Sequence, residues 1–198
     1  MLRPQRPKRQ PLPKVLIVCE GDVSERIYFH GVRSHRRIPR TRMELHLGVG
    51  DPMNVVKRAI SLRNSNLQQN KIDHITVEDA VWVVFDRDTF DNIPPATALA
   101  RSNGIKVAFS NPNFELFLLL HFQDQDRAEN GHRVISLLKK HIRRYDKSYD
   151  YEALGLHDLY LKAIDRATRI NRRSDLRDGI QMPPFTSLID LVDYLRIF

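Results

Sequence analysis

The chain of 198 residues contains a single cysteine, Cys19, so an internal disulfide is excluded. It has no apolar run approaching the roughly 20 residues that a membrane-spanning helix requires. The basic residues near its start are followed by no apolar stretch that fits a signal peptide. We therefore expect a cytoplasmic protein with no membrane partner. The apolar neighbours of Cys19, Val15 to Val18, predict a buried thiol.

Acidic residues are in the minority, because 24 Asp and Glu stand against 32 Lys and Arg. The formal net charge is +8 and the pI is near 9.8. A cationic surface gains affinity for polyanions because binding releases the counterions condensed on phosphates. The composition, 41% hydrophobic and 28% charged, is typical of a soluble globular protein. It therefore favours contact with nucleic acid, DNA or RNA, although an acidic protein surface would suit the same charge.

The pattern of the chain divides it into three parts. Residues 1–13 hold four basic residues and four prolines but no acid. Proline at this density opposes helix and central strand, so an extended, mobile arm is predicted. Residues 14–122 alternate strand and helix four times, which predicts an α/β core with a mostly parallel central sheet flanked by helices. Residues 123–198 are predicted to be a C-terminal helical extension packed on this core, with helices at 134–145, 156–172 and 186–198 and no further strands.

Two acids directly follow an apolar strand. The run from Ala80 to Phe85 passes into Asp86 and Asp88, and an unpaired buried carboxylate costs several kcal/mol. These acids must therefore reach solvent, a basic partner or a metal. In open parallel sheets, ligands bind beyond the carboxyl ends of the strands, and Glu20 ends the first predicted strand in the same way.

Two more acids are expected near this edge of the sheet. Glu25 lies five residues after Glu20, across a glycine turn, and Glu115 lies near the start of the helix after the last predicted strand. Several carboxylates together suit Mg²⁺ or Mn²⁺. Zinc is not favoured, because the eight histidines are scattered and neither a CxxC nor an HxxxH motif is present.

Each of these features also has a structural interpretation. The pair of aspartates could end the strand in a turn and pair with the intervening arginine or with a basic loop. Glu20 and Glu25 could cap the following helix, and Glu115 could complement a helix dipole or pair with a buried arginine. Ser110 and Asn111 are expected to cap the helix that follows them rather than to touch a substrate.

Two basic runs, residues 33–42 and 139–147, are candidates for phosphate contact, although such runs are also typical of solvated faces. The residues that we predict to bind nucleic acid are Arg36, Arg37, Arg40, Lys139, Lys140, Arg143 and Arg144. The chain has no Walker A and no GxGxxG pattern, so it is not expected to contain a nucleotide-driven motor.

Three blocks of sequence carry a family resemblance: LIVCEGDVSERIYF, VWVVFDRD and AFSNPNFELFLLLHF, in this order. Together they resemble the RloB family, and the resemblance extends over about residues 14–198, including the closing PPFTSLIDLVDYL. It implies a Toprim-like fold, a relation to Toprim nucleases, and occurrence beside restriction and phage-defence genes, often with an ATPase partner. In one departure, Ser24 precedes Glu25 where many relatives carry threonine. Serine keeps the hydroxyl group.

The resemblance also implies roles for individual acids. In the Toprim fold, a glutamate after the first strand and a DxD after a later strand bind Mg²⁺ and act on phosphodiesters. Glu20, Glu25, Asp86 and Asp88 match these catalytic positions. Asp86 and Asp88 would bind the metal, and Glu20 would help to hold it or transfer a proton of the attacking water or leaving oxygen. Glu115 is a further candidate ligand.

The function implied by the resemblance is a Mg²⁺-dependent (or Mn²⁺-dependent) nuclease that acts in bacterial anti-phage defence with an ATPase partner. Two alternatives stay open at this point. One is a non-catalytic module that binds nucleic acid or the ATPase, and the other is a toxin-like effector that attacks tRNA. The sequence also leaves open a homodimer.

Overall fold

A computed structural model describes residues 14–72, 80–87 and 92–198 of the chain. The predicted arm at residues 1–13 lies outside these residues. The strands in the described ranges are β1 (Val15–Cys19), β2 (Met43–His46), β3 (Ala80–Asp86), β4 (Lys106–Asn111), β5 (Leu176–Arg177), β6 (Ile180–Gln181) and β7 (Phe185–Thr186). Five of them form the central sheet in the order β2-β1-β3-β4-β7. The first four are parallel, and β7 pairs antiparallel to β4. The predicted α/β fold with a mostly parallel sheet is therefore confirmed.

Helices cover both faces of the sheet. They are α1 (Val23–His35), α2 (Pro52–Ile72), α3 (Ile93–Ser102), α4 (Phe114–Phe122), α5 (Gly131–Leu138), α6 (Leu156–Asn171) and α7 (Leu188–Tyr194), followed by a 3-10 turn at Leu195–Ile197. Helices α2 and α3 pack on the face that carries Leu16 and Val18 of β1. The other helices pack on the face that carries Val15 and Ile17. Because both faces are covered, β1 is fully buried and reads as a continuous apolar run.

Local signals set several helix boundaries as the sequence predicts. Pro52 is the first residue of α2, and the side chain of Asp51 accepts hydrogen bonds from the backbone N–H of Met53 at 3.0 Å and of Asn54 at 3.3 Å. This is an N-cap followed by proline at the first helical position. Helix α3 ends before Gly104, whose φ of 65° suits glycine.

The region after residue 123 is largely helical, but the prediction that it holds no strands is wrong. Strands β5 and β6 form a hairpin, and β7 extends the central sheet by pairing Thr186 with Ser110. Strands of two residues are too short to show an alternating pattern. The helix predicted at 134–145 ends at Leu138, and the one predicted at 186–198 begins at Leu188.

Helix α4 begins later than the sequence suggests. Strand β4 continues through Asn111, and α4 starts at Phe114 rather than at position 111 or 112. The late start brings the first N–H groups of α4 to the carboxyl ends of β3 and β4. In the described ranges, no helix combines the length and the apolar character needed to cross a membrane.

Candidate active site

Glu20 and Asp86 lie side by side at the carboxyl edge of the sheet. Strands β1 and β3 are paired, and the backbone N–H of Glu20 donates to the carbonyl of Val84 at 2.9 Å. The Glu20 carboxylate in turn accepts a hydrogen bond from the backbone N–H of Asp86, with 3.1 Å between N and Oε2. The two acids thus meet at one edge, as expected for residues that end neighbouring parallel strands.

The side chain of Asp86 is held at the N-terminus of α4. Its Oδ2 accepts a hydrogen bond from the backbone N–H of Phe114 at 2.9 Å. The pKa of Asp86 is nevertheless raised well above its ordinary value, mainly by burial and then by the negative charges of Glu25 and Glu115, whereas the Phe114 N–H lowers it. Asp86 is therefore an acid that a nearby cation would stabilise in its charged form.

Glu25 occupies the first turn of α1 and is only 8% exposed. Its carboxylate lies over Gly21, where the Cβ of any other residue would overlap it. Burial, together with the charge of Glu115, raises its pKa to about 7. Its own backbone N–H and the ammonium of Lys147 act in the opposite direction. Glu25 can therefore exchange a proton near neutral pH.

Glu115 is buried beside a hydroxyl network. Its Oε1 accepts a hydrogen bond from the Tyr145 hydroxyl at 2.9 Å and lies 3.5 Å from Ser24 Oγ. The hydroxyls of Ser24 and Tyr145 are 2.7 Å apart, and the Tyr149 hydroxyl donates to the Ser24 carbonyl at 2.8 Å. The alternative that Glu115 pairs with a buried arginine is wrong, since these hydroxyls are its partners.

The four described acids therefore share one region, although they come from four separate segments. No Lys, Arg or His within the described ranges forms an ion pair with Glu25, Asp86 or Glu115. Below them lies the thiol of Cys19, which is fully buried and whose pKa is raised by burial and by the charges of Glu25 and Asp86. The predicted site residue Asp88 lies outside the described residues.

The carboxylate oxygens of these acids are chemically suited to bind a hard divalent cation. Asp86 and Glu115 each have one oxygen fixed by a hydrogen bond, and their second oxygens, Oδ1 and Oε2, accept none from a described residue. Carboxylate oxygens of this kind are typical ligands of Mg²⁺ and Mn²⁺. Among residues 14–72, 80–87 and 92–198, however, no three His, Cys, Asp or Glu side chains are grouped closely enough to hold a metal ion by themselves.

A cleft of about 620 Å³ opens beside these acids. Asp86 and Glu115 form part of its wall, and Arg87 and Lys147 also line it. The far side is built from the segment that enters α5, residues 128–132. The cleft therefore places basic side chains next to the acids, which is the combination needed to bring a phosphate group to a carboxylate site.

The three predicted nucleic-acid contacts before β2 lie at the other edge of the sheet. Arg36, Arg37 and Arg40 follow α1, and this loop leads to Arg42, whose carbonyl accepts from the N–H of Val15 at the amino end of β1. From Glu25, in the first turn of α1, the helix carries the chain roughly 17 Å away before it reaches Arg36. Arg36 also lies over the ring of Tyr160, 5.9 Å from its centroid.

The second basic run, residues 139–147, begins away from the acids and ends next to them. The predicted contacts Lys139, Lys140, Arg143 and Arg144 are all exposed. The run starts at the far end of α4, where the His141 ring stacks on Phe122 with centroids 5.1 Å apart. It reaches the acids at Tyr145, which contacts Glu115, and at Lys147, which lines the cleft. Arg143 and Arg144 are thus nearer the site in the chain than Lys139 and Lys140.

Sequence reasoning missed two residues of the site, Tyr145 and Asn113, and named Lys147 only as part of the basic run 139–147. Tyr145 contacts Glu115 and Asn113 lines the cleft, but no motif or periodicity marks either of them. Lys147, the last member of that run, lines the cleft. Ser110 and Asn111 do not cap α4, because Ser110 Oγ lies 2.9 Å from Thr186 Oγ1 and the Asn111 amide donates to a backbone carbonyl.

Comparison with known proteins gives a family match over most of the chain. The model of a family described as RloB-like protein matches residues 15–195. Neither the curated proteins nor the solved structures contain a match.

Proposed function

The chain belongs to the RloB-like family, and from this premise we propose that it is a Mg²⁺- or Mn²⁺-dependent nuclease of the Toprim type. It would hydrolyse phosphodiester bonds of DNA or RNA in bacterial anti-phage defence, together with an ATPase partner. The observation that supports this proposal is the meeting of Glu20, Glu25, Asp86 and Glu115 beside a cleft with basic residues in its wall.

Asp86 would be the central ligand of the cation. Glu20 lies against its backbone, and Glu115 is oriented by Tyr145, although the described side chains alone are not grouped as a metal centre. Asp88, two residues after Asp86, would complete the set. When bound, the cation would supply Lewis acidity that offsets the charge of a phosphodiester in its transition state.

Glu25 would handle the proton in this reaction. A general base works best when its pKa lies near the operating pH, and burial raises the pKa of Glu25 to about 7. Its position over Gly21 keeps the carboxylate at the strand end rather than in solvent. Lys147 and Arg87, in the wall of the same cleft, would orient the substrate phosphate by charge.

A non-catalytic module that binds nucleic acid or the ATPase is the second candidate. It is favoured by the finding that the described side chains alone are not grouped as a metal centre. In this case the basic wall of the cleft would bind a phosphate group and the acids would only set the shape and charge of the site.

The decisive experiment compares cleavage of DNA and RNA by the wild type, Asp86→Ala and Glu20→Ala in Mg²⁺ or Mn²⁺, with and without the ATPase. Glu44→Ala is the matched control, because Glu44 is an exposed acid on β2 that forms an ion pair with His46. We expect cleavage by the wild type and the control alone. Activity that survives both Asp86→Ala and Glu20→Ala would remove these acids from the mechanism. Binding that persists in EDTA, without cleavage even when the ATPase is present, would favour the non-catalytic module.

A second experiment with the wild-type protein identifies the substrate. Sequencing of the nucleic acids recovered after induced expression would show whether DNA, or RNA such as tRNA, is cut. Cuts confined to tRNA would identify a toxin-like effector.

A further inference from the structure

A second cleft adjoins the one beside the acids. We call it the side cleft, and it is built mainly from residues 173–175 and 182–184. Its volume is about 360 Å³, within the roughly 300–1,000 Å³ of sites that bind small molecules. Ala128 and Pro183 line both clefts. Because the two clefts share these residues, a ligand that occupies the first can extend into the second.

Hydrogen bonds hold the walls of the side cleft in place. The Ser174 hydroxyl donates to the Met182 carbonyl at 2.6 Å, and the Met182 N–H donates to the Asp175 carbonyl at 2.8 Å. The side-chain amide of Asn111, in the wall of the first cleft, donates to the Gln181 carbonyl at 2.7 Å. The segment that builds the side cleft is thus joined to itself and to the end of β4, next to the acids.

Part of the side cleft is apolar. Ile170, at the end of α6, and Met182, Pro183 and Pro184 supply this surface. Sites for small organic ligands are typically lined in this way, with a few polar groups that fix the orientation of the ligand.

The charged side chains of the side cleft form two pairs of opposite sign. Arg173 Nη1 lies 3.9 Å from a carboxylate oxygen of Asp126, and Arg177 Nη2 lies 3.4 Å from one of Asp175. The formal charges of these four side chains cancel. A phosphate group, which needs only donors and positive charge, is therefore not the ligand that this combination favours.

Both ion pairs can be opened at little cost. The side chains of Arg173 and Asp126 are 66% and 44% exposed, and those of Arg177 and Asp175 are 67% and 72% exposed. Ion pairs between exposed side chains contribute little to stability. Each guanidinium and each carboxylate can therefore exchange its partner for a hydrogen-bonding group of a ligand while the fold is kept.

A nucleobase matches both parts of the side cleft. Its faces are apolar, and its edges carry donors and acceptors of hydrogen bonds. Guanine offers an arginine two neighbouring acceptors, O6 and N7, which is the commonest specific contact to a base. It also offers a carboxylate two neighbouring donors, N1–H and the N2 amino group. Guanine is therefore the base that uses guanidinium and carboxylate groups together most fully.

We propose that the side cleft binds one guanine base of a single strand, close to the phosphodiester that is cut. Arg173 and Arg177 supply the donors, and Asp126 and Asp175 supply the acceptors. The base must be unstacked, because a base inside a duplex does not expose its faces. The proposal rests on the proposed function, because it names the substrate class of that nuclease, single-stranded DNA or RNA with a guanine near the cut.

The test measures the affinity of short fluorescent single strands by anisotropy, in EDTA so that no strand is cut. One strand contains only thymine, or uracil in RNA, and the other carries one guanine at its centre. The wild type should bind the guanine strand about tenfold more tightly, the effect of one bidentate contact to a base. Strands with 7-deazaguanine, which lacks N7, or with hypoxanthine, which lacks the amino group, should lose most of this preference.

Substitutions separate recognition of the base from attraction by charge. The double variant Arg173→Lys/Arg177→Lys keeps both charges but loses the planar fork, so it should bind the two strands equally. The double variant Asp126→Asn/Asp175→Asn removes two negative charges. It should bind the thymine strand more tightly and yet lose most of the preference for guanine. Arg58→Lys, at an exposed position of α2, is the control and should keep the preference of the wild type.

Equal affinities of the wild type for the two strands would overturn the proposal, and so would a preference for any other base or the absence of binding to any strand. A preference for guanine that persists in the double lysine variant would show that the base is bound elsewhere, which also overturns it. The thermal unfolding midpoints of all variants should stay close to that of the wild type, because the substituted ion pairs are exposed.

The side cleft and the nuclease proposal can fail separately. Asp86→Ala should abolish cleavage but keep the roughly tenfold preference for the guanine strand. A wild type that prefers the guanine strand but cuts nothing would contradict the nuclease alone. A wild type that cuts both strands equally fast, with equal affinities, would contradict the side cleft alone.

Discussion

The backbone N–H of Asp86 donates a hydrogen bond to the carboxylate of Glu20 across 3.1 Å. One acid thus fixes the other, and the bond joins the residue after β1 to the last residue of β3. The Glu20 side chain therefore has two separable contributions, an acceptor for this N–H and a negative charge next to the other acids.

Glu20→Gln separates these contributions, because glutamine keeps an acceptor oxygen and loses the charge. We expect the protein to stay folded at pH 7, as checked by the midpoint of chemical unfolding, since glutamine keeps an acceptor for the Asp86 N–H. The affinity for Mn²⁺, measured by calorimetry, should fall at least about tenfold. Glu44→Gln on β2 should change neither quantity. An unchanged Mn²⁺ affinity in Glu20→Gln would exclude Glu20 as a ligand.

The buried carboxyl of Glu25 makes the stability of the metal-free protein depend on pH. Its pKa rises from 4.5 to about 7 on folding, so the folded state binds the proton more tightly than the unfolded state. The stabilisation that comes from protonated Glu25 is complete below pH 4.5 and is lost as the pH rises through about 7. The loss amounts to up to about 3 kcal/mol in the free energy of unfolding. Glu25→Gln should remove this loss, as measured by urea unfolding in EDTA at pH 5 and pH 8. The raised pKa of Asp86 leaves a remaining slope of the same sign.

A difference in stability between wild type and Glu25→Gln that is equal at the two pH values would contradict the assignment. Glu44→Gln serves again as the surface control.

Tyr145 positions Glu115 through a hydrogen bond from its hydroxyl, and removal of the hydroxyl tests this contact. Tyr145→Phe removes the 2.9 Å hydrogen bond to the buried Glu115 and leaves it the longer 3.5 Å contact with Ser24 Oγ, so we expect a loss of about 1–3 kcal/mol in the free energy of unfolding. Tyr160→Phe is a matched control, because the Tyr160 hydroxyl is buried without a partner. Its removal should be neutral or stabilising. Equal destabilisation by the two substitutions would show that the Tyr145 contact is not specific.

The two basic runs should differ in their effect on nucleic-acid binding. Arg143 and Arg144 lie next to Tyr145, which contacts Glu115, whereas Arg37 and Arg40 follow the far end of α1. Replacing Arg143 and Arg144 by alanine should weaken binding and lower the slope of log affinity against log salt by about one for each phosphate that is no longer bound. The same change at Arg37 and Arg40 should have a smaller effect. Arg36 is left in place because it packs over Tyr160. A larger effect at the amino edge would place the nucleic acid away from the acids.

The meeting of Glu20 and Asp86 was predictable because it depends only on strand order. Two acids that end neighbouring parallel strands must share an edge, and the short runs of β-branched residues mark both strands. The same rule could have placed Arg36 to Arg40 at the opposite edge, because a helix that follows a strand returns the chain to the amino side.

The partners of Glu115 were not predictable in this way. Tyr145 lies 30 residues later in an irregular segment, and contacts made by such a segment follow from tertiary packing rather than from periodicity. The start of α4 depends on the extension of β4 through Asn111, and the two-residue β7 depends on pairing with β4. Neither leaves a local pattern that a sequence shows.

The buried thiol beneath the acids has a practical consequence. Cys19 has 0% exposure, and burial together with the charges of Glu25 and Asp86 keeps the reactive thiolate form scarce. An alkylating reagent should therefore label the native protein very slowly and the urea-unfolded protein at once. Because the chain has one cysteine, the rate of labelling reports how often the centre of the sheet opens, without any engineered probe.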